Sequence, residues 1–320
     1  MKRNEIRRER KKKNLIRILV ISFLAIFAIL LGSGGYMYFQ AQQATSQSYD
    51  DLGREKSELR EKKASISTDP ISFLLLGIED YSTGGSNGRS DTIMVLTFNP
   101  EDETLKMVSI PRDSLVTIVG KGIEDKINHA YAYGGTEMTI NTVENFLNIP
   151  IDYYATVNFE GFKNVIDIVG GVTIDVPFDF TEDSDDHTGK LYYYEGEMEL
   201  NGKEALGYAR MRKQDPTGDI GRGERQKQVV KAVISELTSA STVFKIDDLA
   251  DEYGNNVVSN MKMKELINLY KEYKNFSTSN IEQLNLEGHS SRINNISYYL
   301  IDEESLSEVS TDLRNHLDLD

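Results

Sequence analysis

Residues 18–39, ILVISFLAIFAILLGSGGYMYF, run for 22 positions without a charged side chain. As a helix rising about 1.5 Å per residue, that stretch crosses the roughly 30 Å of hydrocarbon in a bilayer. A helix is the form that satisfies its own backbone polar groups where no water can reach them. Tyr36, Tyr38 and Phe39 fall at the far edge, where aromatic side chains prefer the headgroup zone. The chain is therefore expected to divide into a short arm on one side of a membrane and a large body on the other.

Charge sorts the same way. Residues 1–17 hold nine of the 36 Lys and Arg residues but only Glu5 and Glu9 of the 51 acids. The body beyond the span is strongly acidic. Basic flanks stay cytoplasmic, so the reading is a cytoplasmic tail at 1–17, a transmembrane helix at 18–39 and an extracellular remainder. A cleaved signal peptide is the alternative. The apolar stretch is longer than an h-region, and no A-x-A site comes after it. Lys and Arg beside a span serve orientation and anionic lipid rather than nucleic acid, and so short a tail has no room for a DNA-reading fold. The chain has no cysteine, so the exported body must stand on its core, and thiol catalysis and cysteine-zinc sites are excluded. The four histidines (129, 187, 289 and 316) make no HExxH motif, which argues against a zinc hydrolase.

Residues 40–68 are polar or mixed in charge and read as an extracytoplasmic stalk. From residue 69 the pattern changes. Apolar runs at 71–76, 92–98, 106–110, 154–158 and 172–176 suit strands, with later ones at 281–286 and 298–301. Helical patterns occupy 137–147, 159–168, 222–237 and 261–273, and 302–317 closes the chain. Strands alternating with helices predict one α/β domain over 69–320. Its expected form is a central mixed β-sheet covered by helices on both faces, an α-β-α sandwich.

Three segments carry chemistry. In GIEDYSTGGSNGRSDTIMVLT (77–97), Glu79, Asp80 and Asp91 stand at neighbouring strand ends, where α/β sheets place ligand sites. Such carboxylates suit Mg²⁺ or Mn²⁺ held together with phosphates. Alternatively they cap turns and pair with Arg89. No GK[ST] comes after the glycines, so an ATPase has little support. In VSIPRDSLVTI (108–118), Arg112 and Asp113 come after Pro111 in a forced turn and read alone as a local ion pair. In GYARMRKQDPTGDIGRGERQ (207–226), Asp219 is a plausible N-cap, and Arg222, Arg225 and Gln226 share one face of a first helical turn. A helix N-terminus already favours anions, so guanidiniums there make a phosphate site. Arg210 and Arg212 join it if that piece is extended. Solvated surface charge is the bland alternative. Against it, six of the ten arginines after residue 17 lie in these three segments.

With LLLGIED, GRSDTIMVLTFNP, VSIPRDSLV, KINHAYAYGG and NGKEALGYARMRKQDPTGDIGRGERQ in this order, residues 71–230 resemble the LytR-CpsA-Psr family of Gram-positive cell-envelope proteins. The resemblance implies a membrane-anchored, metal-dependent phosphotransferase with its catalytic domain outside the cell. It would move an anionic glycopolymer, such as wall teichoic acid, from an undecaprenyl-pyrophosphate carrier to the muramic acid C6 hydroxyl of peptidoglycan. The alternatives are a non-catalytic regulator or transcription attenuator, a scaffold that binds polyprenyl lipid without turnover, and a lipid pyrophosphatase with water as acceptor. Asp91 matches a metal ligand, with Mg²⁺ or Mn²⁺ as cofactor. Glu79 stands where many members have Asp, so Glu79 or Asp80 completes that site. Arg89, Arg112, Arg210, Arg212, Arg222 and Gln226 match pyrophosphate-binding positions, and Arg225 and Asp113 lie in the same motifs. The implied catalytic set is Asp91, Arg112, Asp113 and Arg222, with Asp113 or Asp91 as base. The prenyl chain implies an apolar tunnel, expected at Phe146, Leu147, Phe159, Phe162, Val165 and Ile166. Partners other than the membrane, the lipid-linked polymer and peptidoglycan are not implied, and nucleic acid is not among them.

Overall fold

The computed structural model describes residues 49–78, 88–239, 245, 248, 249, 252, 255–273 and 276–319. The basic tail, the expected span at 18–39, Glu79 and Asp80 lie outside the described residues. Among the described residues no helix is long and apolar enough to cross a membrane.

In chain order the first strands are β1 (Ile71–Ile78), β2 (Ser90–Asn99), β3 (Thr104–Ser109), β4 (Leu115–Ile118), β5 (Ile123–Lys126), β6 (Tyr153–Asn158) and β7 (Val172–Val176). Then come β8 (Phe180–Asp183), β9 (Lys190–Tyr193), β10 (Gly196–Leu200), β11 (Val257–Ser259), β12 (Ile281–Leu284), β13 (Gly288–Ile293) and β14 (Ile296–Ile301). The helices are α1 (His129–Leu147), α2 (Phe159–Val169), α3 (Gly202–Arg210), α4 (Asp219–Leu237), α5 (Met263–Tyr273) and α6 (Glu303–His316).

The central sheet has the order β11-β6-β1-β2-β3-β12. β1 runs parallel to β6 and antiparallel to β2, and β3 runs parallel to β12, so the sheet is mixed as expected. Alternate side chains leave by opposite faces. Leu74, Leu76, Ile93 and Val95 meet Ile140 and Val143 of α1 and Leu313 of α6. On the other face Met94 and Met107 meet Val230 and Ile234 of α4, while Phe98 meets Leu266 and Leu269 of α5. Burial on both faces is why β1 and β2 read as apolar runs without polar alternation. Each buried Leu or Ile contributes about 1.5–3 kcal/mol, and Leu76→Ala in this setting costs about 2–5 kcal/mol.

A smaller lobe stands beside the sheet. Ile166, Ile174, Phe180, Tyr193 and Tyr208 form its core and close on Val229 of α4. The run 172–176, expected in the main sheet, pairs here with β10 as a two-stranded ribbon. Helix α3 lies in the stretch whose arginines drew attention in the sequence. Its signal is a capping box: Asn201 accepts from the Glu204 N–H, and Glu204 accepts from the Asn201 N–H.

Residues 49–68, the outer part of the expected stalk, pack differently. Arg54 reaches Glu144 at 2.8 Å, Arg60 reaches Asp152 at 2.7 Å, and Ala64 and Ile66 are buried. Two inward-facing carboxylates and a small apolar patch hold the segment along the domain. Its charges look solvated in the sequence because their partners stand some 90 residues away.

Candidate active site

A cavity of about 740 Å³ lies between the sheet and the small lobe. Its apolar walls are Leu75 and Val157 on the sheet, Phe159, Phe162, Val165 and Ile166 on α2, and Val229, Val230 and Val233 on α4. Phe146 and Leu147, expected in the same wall, belong instead to the core under α1, on the far face of the sheet. One end of the cavity is charged. Asp91, Arg112, Arg210, Arg212, Arg222 and Gln226 line it, together with Lys213, Glu182 and Asp215.

Local backbone chemistry aims these groups. Gly77 pairs with Thr92 and Ile78 with Ser90, so Asp91 is the extra, bulged residue of β2. A bulge turns a side chain away from the regular pleat and is common beside active sites. A Cβ on Gly77 would stand 2.9 Å from Thr92 Cβ, so only glycine lets the strands close at this point. Pro111 comes just after β3 and turns Arg112 back over the sheet end, where Arg112 Nη1 donates to Asp91 Oδ1 at 2.5 Å.

Helix α4 supplies the rest. Gly218 is its N-cap at φ 63°, a conformation suited to glycine, and Asp219 is the first helical residue rather than the cap. Its carboxylate turns to arginines instead of the backbone. Asp219 Oδ1 lies 2.8 Å from Arg222 Nη2, 3.3 Å from Arg212 Nε and 4.0 Å from Arg112 Nε. These are ionic approaches without alignment: buried Asp219 Oδ1 and Arg112 Nε each lack a hydrogen-bond partner. Arg222 is 8% exposed. Burial lowers its pKa, and Asp219 only partly opposes that shift. Burial also acts against Arg112, but Asp91 outweighs it and raises the pKa. Arg210 ends α3 and lies with its guanidinium 4.9 Å from the Phe159 ring, at the junction of charge and apolar wall. Helix α3 thus stops at Arg210, and the chain is extended only from Met211.

Among the described residues of this end, four arginines and Lys213 stand with Asp91, Glu182 and Asp215 in the lining and Asp219 beside it, and Asp215 is already taken by Arg225. Burial raises the pKa of Glu182, which weakens it further as a counter-charge. A buried donor without a partner and an excess of guanidinium together specify an anion with several oxygens.

Other expected residues stand elsewhere. Arg225 does not line the cavity. It is 2% exposed, donates from Nε to Tyr208 O at 3.2 Å and is paired with Asp215 and Met211 O, tying the end of α3 to α4. On a helix, i+3 and i+4 lie about 60° and 40° to opposite sides of i, and the cavity takes the side of Gln226 and leaves Arg225 on the other. Asp113 also points away: Lys126 Nζ holds it at 2.8 Å. Burial acts to raise its pKa, but Lys126 and Arg112 outweigh burial and hold the carboxyl below the usual range. Arg89 is exposed and does not line this cavity. The residues missed by sequence reasoning are Asp219 as a hub, Lys213 and Glu182. Only Asp219 carried a signal, as an acid three residues before Arg222.

Known proteins share this chain's motifs and its architecture. The model of the LytR_cpsA_psr family matches residues 35–315. The polyisoprenyl-teichoic acid–peptidoglycan teichoic acid transferase TagV of Bacillus subtilis is 46% identical over 313 residues, covering 96% of this chain and 80% of TagV. The crystal structure of B. subtilis TagV superposes with a TM-score of 0.72 at 47% identity, covering 79% of this chain and 99% of the other. TagT bound to LIIa-WTA gives 0.72 at 35% identity, covering 85% and 99%. TagT (YwtF) with bound octaprenyl pyrophosphate lipid gives 0.66 at 32%, covering 83% and 98%. The chain belongs to the LytR_cpsA_psr family.

Proposed function

We propose that this chain is a membrane-held, extracytoplasmic phosphotransferase that moves an anionic glycopolymer, such as wall teichoic acid, from a polyprenyl-pyrophosphate carrier to peptidoglycan. The observation that carries the reading is one cavity with two chemistries, an apolar channel ending at Arg112, Arg210, Arg212 and Arg222. A prenyl chain suits the first part and a pyrophosphate the second. Names of relatives support the same substrates, since TagV is a teichoic acid transferase and TagT is seen with octaprenyl pyrophosphate.

The reaction is a displacement at phosphorus. An acceptor hydroxyl oxygen forms a bond to the phosphorus that carries the polymer, and the bond from that phosphorus to the bridging oxygen breaks. Polyprenyl monophosphate leaves with the extra negative charge. Such a transition state asks the protein mainly for position and charge. Arg222, buried, and Arg112, half-buried, neutralise the leaving phosphate in a medium that screens less than bulk water. The hydroxyl proton goes to a carboxylate. Both candidates are ion-paired, Asp91 with Arg112 and Asp113 with Lys126, but only Asp91 lines the cavity.

A divalent cation fits this site in a limited way. Among the described residues no group of three or more His, Cys, Asp or Glu gathers as a metal cage. Mg²⁺ is commonly held by one or two carboxylates together with substrate phosphates and water, and Asp91 offers one such carboxylate beside the phosphate position. Bound there as Mg²⁺ or Mn²⁺, the cation would neutralise charge on the phosphate oxygens.

The test is transfer of lipid-linked polymer to peptidoglycan oligomers by the full chain in vesicles. Arg112→Ala and Arg222→Ala are each expected to lower turnover by about 10²–10³-fold while the domain stays folded, with a thermal transition shifted far less than by Arg225→Ala. Near wild-type transfer by both variants overturns the reading.

A further inference from the structure

A second cavity, of about 370 Å³, shares one wall with the first: Asp91, Arg112, Arg222 and Gln226 line both. Their other walls part company. The larger cavity spreads over β1, β6 and β11 through Leu75, Val157 and Val257. The smaller stands over the ends of β3 and β12, where Ser109 and Asn285 line it. In the order β11-β6-β1-β2-β3-β12, strand β2 and its Asp91 run between them. Helix α4 divides them too. Val229, Val230 and Val233 face the larger space, and Ile220, Gly223 and Lys227 the smaller.

Their chemistry differs as much as their position. Beyond the shared wall, the smaller cavity sets Asp219, Glu224, Glu287 and Asp302 against a single ammonium, Lys227, with Asp219 turned toward the shared Arg222. That ammonium is already engaged: Lys227 is 1% exposed and is held by Glu224 at 2.8 Å and Asn285 Oδ1 at 2.5 Å. An excess of carboxylate repels phosphates and accepts hydrogen bonds from hydroxyls and amides. Away from the shared arginines an anionic polymer is thus disfavoured on this side, and a neutral polyol is not. Displacement at phosphorus also places the attacking and leaving oxygens roughly in line. With pyrophosphate on the shared wall and the prenyl chain in the larger cavity, the position opposite the leaving lipid phosphate faces the smaller one.

We infer that the smaller cavity is the acceptor subsite, which takes the hydroxyl-rich, N-acylated glycan strand of peptidoglycan, so that acceptor and donor enter from opposite sides of β2. The inference rests on the transferase reading above. Glu287, Asp302 and Glu224 accept hydrogen bonds from sugar hydroxyls at the rim. One hydroxyl reaches the wall, gives its proton to Asp91 and bonds to phosphorus as polyprenyl monophosphate leaves on the far side.

Two measurements on the full chain in nanodiscs test it. The first is equilibrium binding, without turnover, of a peptidoglycan glycan fragment whose muramic lactyl carboxyls are capped as simple amides, and separately of octaprenyl pyrophosphate. Ile220→Trp, at a half-exposed position that lines only the smaller cavity, is expected to weaken glycan binding by roughly tenfold or more. Glu287→Gln is expected to weaken it by about threefold, and both variants should keep octaprenyl pyrophosphate affinity within about twofold. Unchanged glycan binding in both variants, or equal loss of both ligands, overturns the subsite. The second measurement is transfer by the wild-type protein. Glycan binding that responds to these substitutions, with no transfer at all, would overturn the transferase reading while the subsite stands.

Discussion

Arg112 Nη1 and Asp91 Oδ1 meet at 2.5 Å across the end of the sheet, one supplied by the turn after β3 and the other by a bulge in β2. The bond has two meanings for the site. It gives a half-buried guanidinium a counter-charge, and it makes Asp91 a competitor of a phosphate for Arg112. Arg112 Nε, buried and without a partner, shows that the carboxylate does not use the whole fork.

Replacement of Asp91 therefore separates binding from turnover. Asp91→Asn removes the competing charge, so octaprenyl pyrophosphate should bind as well as to wild type or better. Transfer should fall by about 10²–10³-fold, since the carboxylate is lost as base and cation ligand. Arg112→Lys should fall by about 10²-fold in turnover, because an ammonium cannot present the planar fork. Equilibrium binding and single-turnover transfer on the same preparations check both.

Arg222 and Arg225 provide a contrast three residues apart. Arg225→Ala leaves the Asp215 carboxylate buried and unpaired, which costs about 3–5 kcal/mol of stability. Urea unfolding should show that loss, whereas Arg222→Ala, at the cavity wall, should change the midpoint far less and the turnover far more. Asp215 behaves consistently. Burial acts to raise its carboxyl, but Thr217 and Arg225 outweigh it, so the pair's stability is present above about pH 4 and is lost as pH falls further.

Filling the apolar channel should discriminate by chain length. Val233 on α4 lines the larger cavity and not the smaller. Val233→Trp is expected to weaken octaprenyl pyrophosphate binding by on the order of tenfold, through lost burial of prenyl carbons. A short-chain prenyl pyrophosphate, held mainly by the arginines, should lose less. Titration of the two ligands against wild type and variant reads the difference directly.

How much of this was legible before folding is shown by particular residues. Apolar runs at 71–76 and 92–98 announced β1 and β2 because both faces of those strands are buried. Arg112, Arg210, Arg212 and Arg222 stood out by their clustering in an acidic chain, and the cavity gathers all four. Spacing could not tell Arg222 from Arg225, since both sit on the first turns of α4 and only Asp215, set by the preceding loop, captures one of them. Phe146 and Phe162 are equally apolar in sequence. Which face of the sheet each reaches depends on the crossover that places α1 below and α2 beside the cavity. Strand order, which decides that two cavities flank β2, is a product of long-range pairing and leaves no local trace.

His316 predicts the pH dependence of the fold itself. Its ring is buried at the end of α6, with Nδ1 2.7 Å from Thr97 Oγ1 and Nε2 2.9 Å from Thr104 Oγ1. Burial lowers its pKa below the ordinary 6.5, the charge of Lys106 adds to the effect, and Asp312, Asp102 and Glu282 oppose it without reversing it. The native state thus resists a proton that the unfolded chain accepts, so the contribution is complete above about pH 6.5 and is lost as pH falls through the folded value. Unfolding midpoints in urea should decline between about pH 7.5 and 5. His316→Gln keeps one hydrogen bond and removes the titration. It should be less stable at pH 7.5 by about 1–3 kcal/mol through the lost partner and should show a flatter decline toward pH 5. An unchanged slope would remove His316 as the cause.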